Sequence, residues 1–256
     1  MKKTLIAAAL FSVFAAQAQV TGASTNTGIV YVGASTVVGG PHSAGKPGVG
    51  VDTAGNIIDL GGIAAYTGNG SQAVSGVTFS KYKLDGYQHV DEGGTVSTNF
   101  NWFRIPSVAS AGVAREVYFG LATEPATNAQ AAFYVGDRTN YAVPTSNTNY
   151  ATVAYLAAPG FSPTHVLTGN LRYDTAGTLK SETSAGVWSP LTSTTTTALG
   201  INTNVNASTG TFTGSSTYGG VTGTAKGEFY GAGTTSAVAG TASGTGYVAA
   251  FGGIRN

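Results

Sequence analysis

No cysteine occurs in the 256 residues, so disulfides, thiolate metal sites, thioether-linked cofactors and cysteine nucleophiles are excluded. A lipid on an N-terminal cysteine is not expected either. Charge is almost as scarce: Asp, Glu, Lys and Arg make up 9% of the chain, and the net charge is +1. Without a polybasic patch, nucleic acid and anionic membrane surfaces are poor partners. Methionine occurs once, as Met1, and histidine three times, as His42, His89 and His165. No apolar run after the N-terminus approaches the roughly eighteen residues that a spanning helix requires.

What is abundant is glycine, 38 residues of it, together with Thr, Ser, Asn and Ala. The chain opens on Met1-Lys2-Lys3, a basic head, followed by an apolar run from Leu5 to Ala16. Ala16-Gln17-Ala18 has the A-x-A form of a cleavage site, which predicts a signal peptide over 1–18 and a secreted mature chain from Gln19. Removing Lys2 and Lys3 leaves ten basic residues against eleven acidic, a net charge near −1.

Short alternating runs bounded by Gly, Asn, Asp or Ser predict an all-β, antiparallel protein. The clearest strands of the first half are 28–38, 73–84, 115–122 and 131–137. After "PGFSP" (159–163) the character changes. Residues 164–183 read as a hairpin with Leu167, Leu171 and Tyr173 on one face, and later strands recur about every ten residues. That spacing suits a small soluble barrel of about eight strands. Two domains are expected, 19–160 N-terminal and 161–256 the barrel. A membrane barrel would need longer strands and an apolar outer face, whereas outward positions here are Thr, Ser and Asn.

The segment "GGPHSAGKPGVG" (39–50) nearly spells a phosphate-binding loop. Pro47 stands where Ser or Thr must reach magnesium, and "GVGVDTAG" after it cannot form the required helix. What remains is a long loop, read as mobile, that carries His42. No G-x-S-x-G elbow and no H-E-x-x-H motif occur. Asp91-Glu92, the adjacent carboxylate pair, precedes Gly93-Gly94 and reads as a solvated turn. Nothing nominates an enzyme.

"FYVGDR" (133–138), "AVPTSNTNYATVAY" (142–155), "GEFYGAG" (227–233) and "AAFGGIRN" (249–256) resemble the Slam-dependent surface proteins. Within that family the chain is most similar to the unlipidated, hemophilin-type secreted hemophores, whose C-terminal barrel is like that of transferrin-binding lipoproteins. The resemblance covers roughly 115–256. It implies an N-terminal ligand-binding clamp domain, an eight-stranded barrel read by a Slam outer-membrane translocator, and non-covalent haem b. It also implies a host haemoprotein such as haemoglobin as haem source, and delivery to a TonB-dependent receptor. A protein-binding adhesion factor of the same barrel family, with no haem site, is the alternative.

Haem held without covalent linkage needs an axial ligand, apolar walls and donors for two propionates. With Met1 lost, the ligand must be a histidine or a tyrosine. His42 and His89 are the expected haem-binding and metal-ligating pair. His42 lies on the glycine-rich loop; His89 follows Tyr87 with matching strand parity, and Asp91 or Glu92 could orient its ring. His165 shares a face with Leu167 at the start of the barrel and remains an alternative ligand, as does a single-ligand site. Tyr66, Tyr82 and Tyr87 are candidate pocket walls, and Lys81 and Lys83 candidate propionate partners.

Overall fold

The computed structural model of the chain describes residues 19–51, 56–91, 94–158, 165–183, 186–193 and 198–256, with the side chains of residues 65 and 89–96 outside that description. The expected signal peptide over 1–18 lies outside it as well.

Glycine and hydroxyl residues punctuate the first half into short strands. β1 (Val20–Ser24), β2 (Tyr31–Ala34), β3 (Pro47–Gly50) and β4 (Ile58–Asp59) lead into α1, a single turn over Leu60–Ile63. The Asp59 carboxylate caps α1 by accepting from the Gly61 amide at 2.8 Å. A 3₁₀ turn (Ala64–Tyr66) follows. Then come β5 (Gly68–Val74), β6 (Val77–Asp91), β7 (Gly94–Arg104), the short β8 (Ala109–Ser110) and β9 (Val113–Ala114), β10 (Val117–Glu124) and β11 (Ala129–Asp137). Six of these strands form an antiparallel sheet in the order β1-β11-β10-β7-β6-β5, while β2, β3 and β4 form a small sheet of their own.

The second half runs β12 (Thr148–Ala157), β13 (His165–Asp174), β14 (Thr178–Ser181), β15 (Leu191–Thr192), β16 (Ala198–Asn206), β17 (Thr211–Tyr218), β18 (Val221–Tyr230), β19 (Ala237–Gly244) and β20 (Tyr247–Arg255). β12 pairs with both β20 and β13, so eight antiparallel strands close a barrel and β15 adds a short flap. The expected eight-stranded barrel is therefore present. Its interior is filled by side chains, among them Tyr150, Leu171, Phe212, Phe229 and Phe251. Leu167, Leu171 and Tyr173 point into that core, as their shared face predicted. Where β16 to β18 meet solvent they present Asn202, Asn204, Thr213, Thr217, Thr222 and Thr224, not an apolar band. Among the described residues, no helix is long and apolar enough to cross a membrane.

β12 explains why "TNYATVAYLA" reads as almost continuously apolar. Tyr150, Ala154 and Leu156 face the barrel core. Val153, Tyr155 and Ala157 face outward against Phe103, Phe119 and Tyr134 of the six-stranded sheet. A strand buried on both faces has no polar side to show. The glycines of "AFGGI" belong to the same contact: a Cβ on Gly252 would strike the Phe119 ring. Arg138 ties the linker after β11 to the barrel, donating to the carbonyls of Phe229 (3.0 Å), Thr209 (2.6 Å) and Gly210 (3.1 Å) beside Glu228.

Three expectations need correction. Sheet membership changes between Asp137 and Thr148, so the barrel begins with β12 and not at residue 161. The run 73–84 is a hairpin: Ser75 and Gly76 both take positive φ (48° and 79°) and turn β5 into β6. The strand expected over 28–38 stops at Ala34, because Ser35 diverts its hydrogen bonds to a loop.

Candidate haem-binding site

The six-stranded sheet has two buried faces. One lies on the barrel; the other carries Phe100, Trp102, Tyr118 and Phe133 and is covered by Val30, Val49, Ile58 and Leu60 from the small sheet and α1. Tyr82 stacks on Trp102 with ring centroids 5.4 Å apart, and Tyr87 meets Phe100 edge-on at 6.2 Å. Both tyrosines therefore wall this apolar layer. Tyr66 is different: it projects from the 3₁₀ turn and is 75% exposed.

Polar atoms inside the layer are left without partners. Among the described residues, Trp102 Nε1 and Thr98 Oγ1 are buried and have no hydrogen-bond partner; the register Tyr82↔Trp102 and Tyr87↔Thr98 sets both on the Tyr82 face. Buried donors and acceptors in native proteins are nearly always paired, with protein groups or with ordered water.

The turn that carries His42 lies against α1, whose Leu60 helps to cover this layer. Gly39 and His42 exchange backbone hydrogen bonds (3.2 and 3.1 Å) across a two-residue turn at Gly40-Pro41. The imidazole is half-buried, and its Nδ1 is wholly buried with no hydrogen-bond partner among the described residues. Below the turn lies α1, with Gly62 against the Pro41 carbonyl and Gly61 near the Tyr118 hydroxyl and Glu116. Glu116 draws in two cations, Lys46 from the loop base at 3.9 Å and Arg104 from β7 at 3.8 Å. Val38, on the same loop, is 76% exposed. Burial, with the Glu116 carboxylate beside it, pushes the Tyr118 hydroxyl far above its usual range, so this phenol stays neutral.

His89 lies on the distal arm of the β6–β7 hairpin, with its Cα opposite Val96. Its side chain, like those of Asp91 and Glu92, is outside the described set. Val96 stands eight residues along β7 from Arg104 (96 to 104), a contour of roughly 26 Å at about 3.3 Å per residue. The register shift at Leu84/Tyr87, where Gly86 takes φ 68°, bends the arm between the two positions. His165 is on the barrel, its Nε2 3.1 Å from Ser193 Oγ. Val166, Thr168, Thr192, Ser193 and Gln72 line a cavity of 390 Å³ there, in the crease between lobes.

Lys81 and Lys83 do not share the Tyr82 face, which corrects the expectation that they flank a pocket with it. Lys81 lies 5.9 Å from the centre of the Tyr155 ring on the barrel side, and Lys83 pairs with Asp85 at 2.6 Å. Strand alternation forces this, since residues one apart point to opposite faces. The cations beside the His42 loop are Lys46, the lysine of the near-match to a phosphate loop, and Arg104, which no sequence pattern singled out.

Residues 15–131 match the family model of the HphA N-terminal heme-binding domain. That match is confined to the N-terminal region of the chain. The matched segment holds both His42 and His89, α1 and most of the apolar layer, with Phe133 just beyond its end. No curated protein matches the chain significantly. Among solved structures, the apo haemoglobin receptor HpuA from Kingella denitrificans is 15% identical with a TM-score of 0.54. The alignment covers 95% of this chain and 88% of that one. HpuA from the same organism in complex with human haemoglobin is 17% identical, TM-score 0.50, covering 94% and 88%. These likenesses establish a shared two-lobe fold with a barrel. Among the described residues no group of three His, Asp or Glu side chains is arranged to hold a bare metal ion.

Proposed function

We propose that this protein is a secreted, non-enzymatic hemophore that binds haem b through its N-terminal lobe. The observation that carries the reading is His42: a half-buried imidazole with an unpartnered Nδ1, inside a region that matches a heme-binding domain family. Bound haem would supply an iron centre whose open coordination an imidazole fills. The chain's own part is to present that imidazole, shield one porphyrin face with apolar side chains, and neutralise the propionates. Val38 and Tyr66 offer exposed apolar surface on the His42 loop and just after α1. Lys46 and Arg104, each only loosely paired with Glu116, supply the positive charge. His89 is the second axial ligand in this reading, carried in by the arm beyond the bulge.

The rest of the reading concerns traffic. Haem would come from a host haemoprotein such as haemoglobin, which the HpuA likeness favours as a source. The filled barrel is the part a Slam translocator would read, and a TonB-dependent receptor would accept the haem. Titrating purified protein with haem tests the core of the proposal. We expect a sharp saturable Soret band at micromolar protein, low-spin features if His89 completes the pair, and loss of the band in His42→Ala. A chain that shows no saturable spectrum would leave the protein-binding alternative standing.

A further inference from the structure

The loop that carries His42 is built, not slack, and we infer that Ser35 and Gly62 are the residues that position the haem ligand. This rests on the reading of His42 as an axial ligand and goes beyond it.

Ser35 is 3% exposed and closes the base of the loop with both backbone and side chain. Its amide donates to the Lys46 carbonyl at 2.7 Å, and its carbonyl accepts from the Gly45 amide at 2.9 Å. Its hydroxyl donates to the Ser43 carbonyl and accepts from the Lys46 amide at 2.9 Å. One serine thus satisfies four backbone groups of residues 43–46, on the C-terminal side of His42. Those groups would otherwise be free to reorganise. The other end of the turn is held by the Gly39–His42 backbone pair.

Gly62 sets the height of the turn. A Cβ on it would fall inside the Pro41 carbonyl oxygen, one residue from His42. Backbone cannot yield there as a flexible side-chain tip would, so any larger residue must lift Pro41 and the adjacent imidazole. α1 itself is anchored by the Asp59 cap and by Leu60, which is fully buried. The lifted part would therefore be the turn and not the helix. Groups that orient a ligand from outside its own coordination typically change affinity by about tenfold to a hundredfold when removed.

The test uses the full chain, titrated with haem and then transferred to excess apomyoglobin to read dissociation. Wild type, His42→Ala, Gly62→Ala, Ser35→Ala and Ser35→Thr are compared. We expect Gly62→Ala to shift the Soret band and spin-state markers and to speed haem loss by about tenfold or more. Ser35→Ala should do the same to a smaller degree, and Ser35→Thr, which keeps a hydroxyl, should restore the wild-type spectrum. Apo melting temperature serves as the control for a merely structural role. A variant that loses stability and haem together is judged at a temperature where its far-UV spectrum is native. If wild type and His42→Ala behave as proposed but both Ser35→Ala and Gly62→Ala match wild type, the positioning role is wrong and the hemophore reading survives. If wild type shows no saturable Soret band, the hemophore reading falls first.

Discussion

The two lobes solve burial in opposite ways. The barrel pairs every long strand and fills its interior with aromatics such as Phe229, which meets Tyr150, Tyr173 and Phe212 edge-on at 6.2, 5.7 and 5.9 Å. The N-terminal lobe is an open sheet under a thin cover of short strands. Of the eight buried side-chain polar atoms without a partner among the described residues, five belong to it: those of His42, Thr98, Asn101, Trp102 and Thr123. The other three, of Asn149, Tyr155 and Thr241, lie on the barrel strands. An incompletely satisfied layer has affinity to spare for a ligand that completes it. The difference sets a filled barrel beside an open sheet that falls within the matched heme-binding domain family model.

Three measurements would break or sharpen that contrast. The largest effect is expected from Phe229→Ala, which removes the ring at the centre of the barrel cluster. It should cost about 3–5 kcal/mol in denaturant unfolding. Where the variant is still folded, its haem titration should be unchanged; a weakened Soret titration would mean that the barrel interior shapes the site.

Asp137→Asn comes next. Burial works to raise the Asp137 carboxyl, but hydrogen bonds from Thr139 and Arg115 outweigh it and hold it below the ordinary carboxylate range. A lowered folded value means the stabilisation is full above the unfolded value of about 3.9 and is lost as pH falls through the folded one. The substitution should cost about 1–3 kcal/mol at neutral pH and flatten the acid limb of the stability curve. An unchanged acid limb would show that the junction between lobes does not depend on this carboxylate.

The smallest effect is expected from Thr98→Val, which replaces an unpartnered buried hydroxyl by a methyl of similar volume. Apo stability should stay level or rise by up to about 1 kcal/mol, while haem affinity falls. A fall in apo stability would mean that the hydroxyl is satisfied within the lobe.

Much of this was legible in residue order. Leu167, Leu171 and Tyr173 announced an inward face because strand alternation is local. Pro47 and the residues after it ruled out a phosphate loop, and the chain there forms β3. Other features were hidden for equally physical reasons. β12 looked like part of the first lobe because a strand buried on both faces carries no polar period to assign it. Ser75-Gly76 lies inside an alternating run that reads as one strand, and only the paired left-handed backbone of the two residues makes it a turn. Ser35 carries no sequence mark, since a serine before a glycine-rich stretch is commonplace. Gly62 is one of 38 glycines, and only its closeness to Pro41 distinguishes it.

The sequence by itself determined the all-β class, the barrel's alternation and the scarcity of ligands that leaves three histidines, because each depends on neighbours along the chain or on composition alone. Only the tertiary structure set the His42 turn against α1, and Lys46 and Arg104 around Glu116. It also decided that the loop under His42 is clamped. Those depend on contacts between segments tens of residues apart, such as Glu116 with Lys46 and Gly62 with Pro41, which no local pattern encodes.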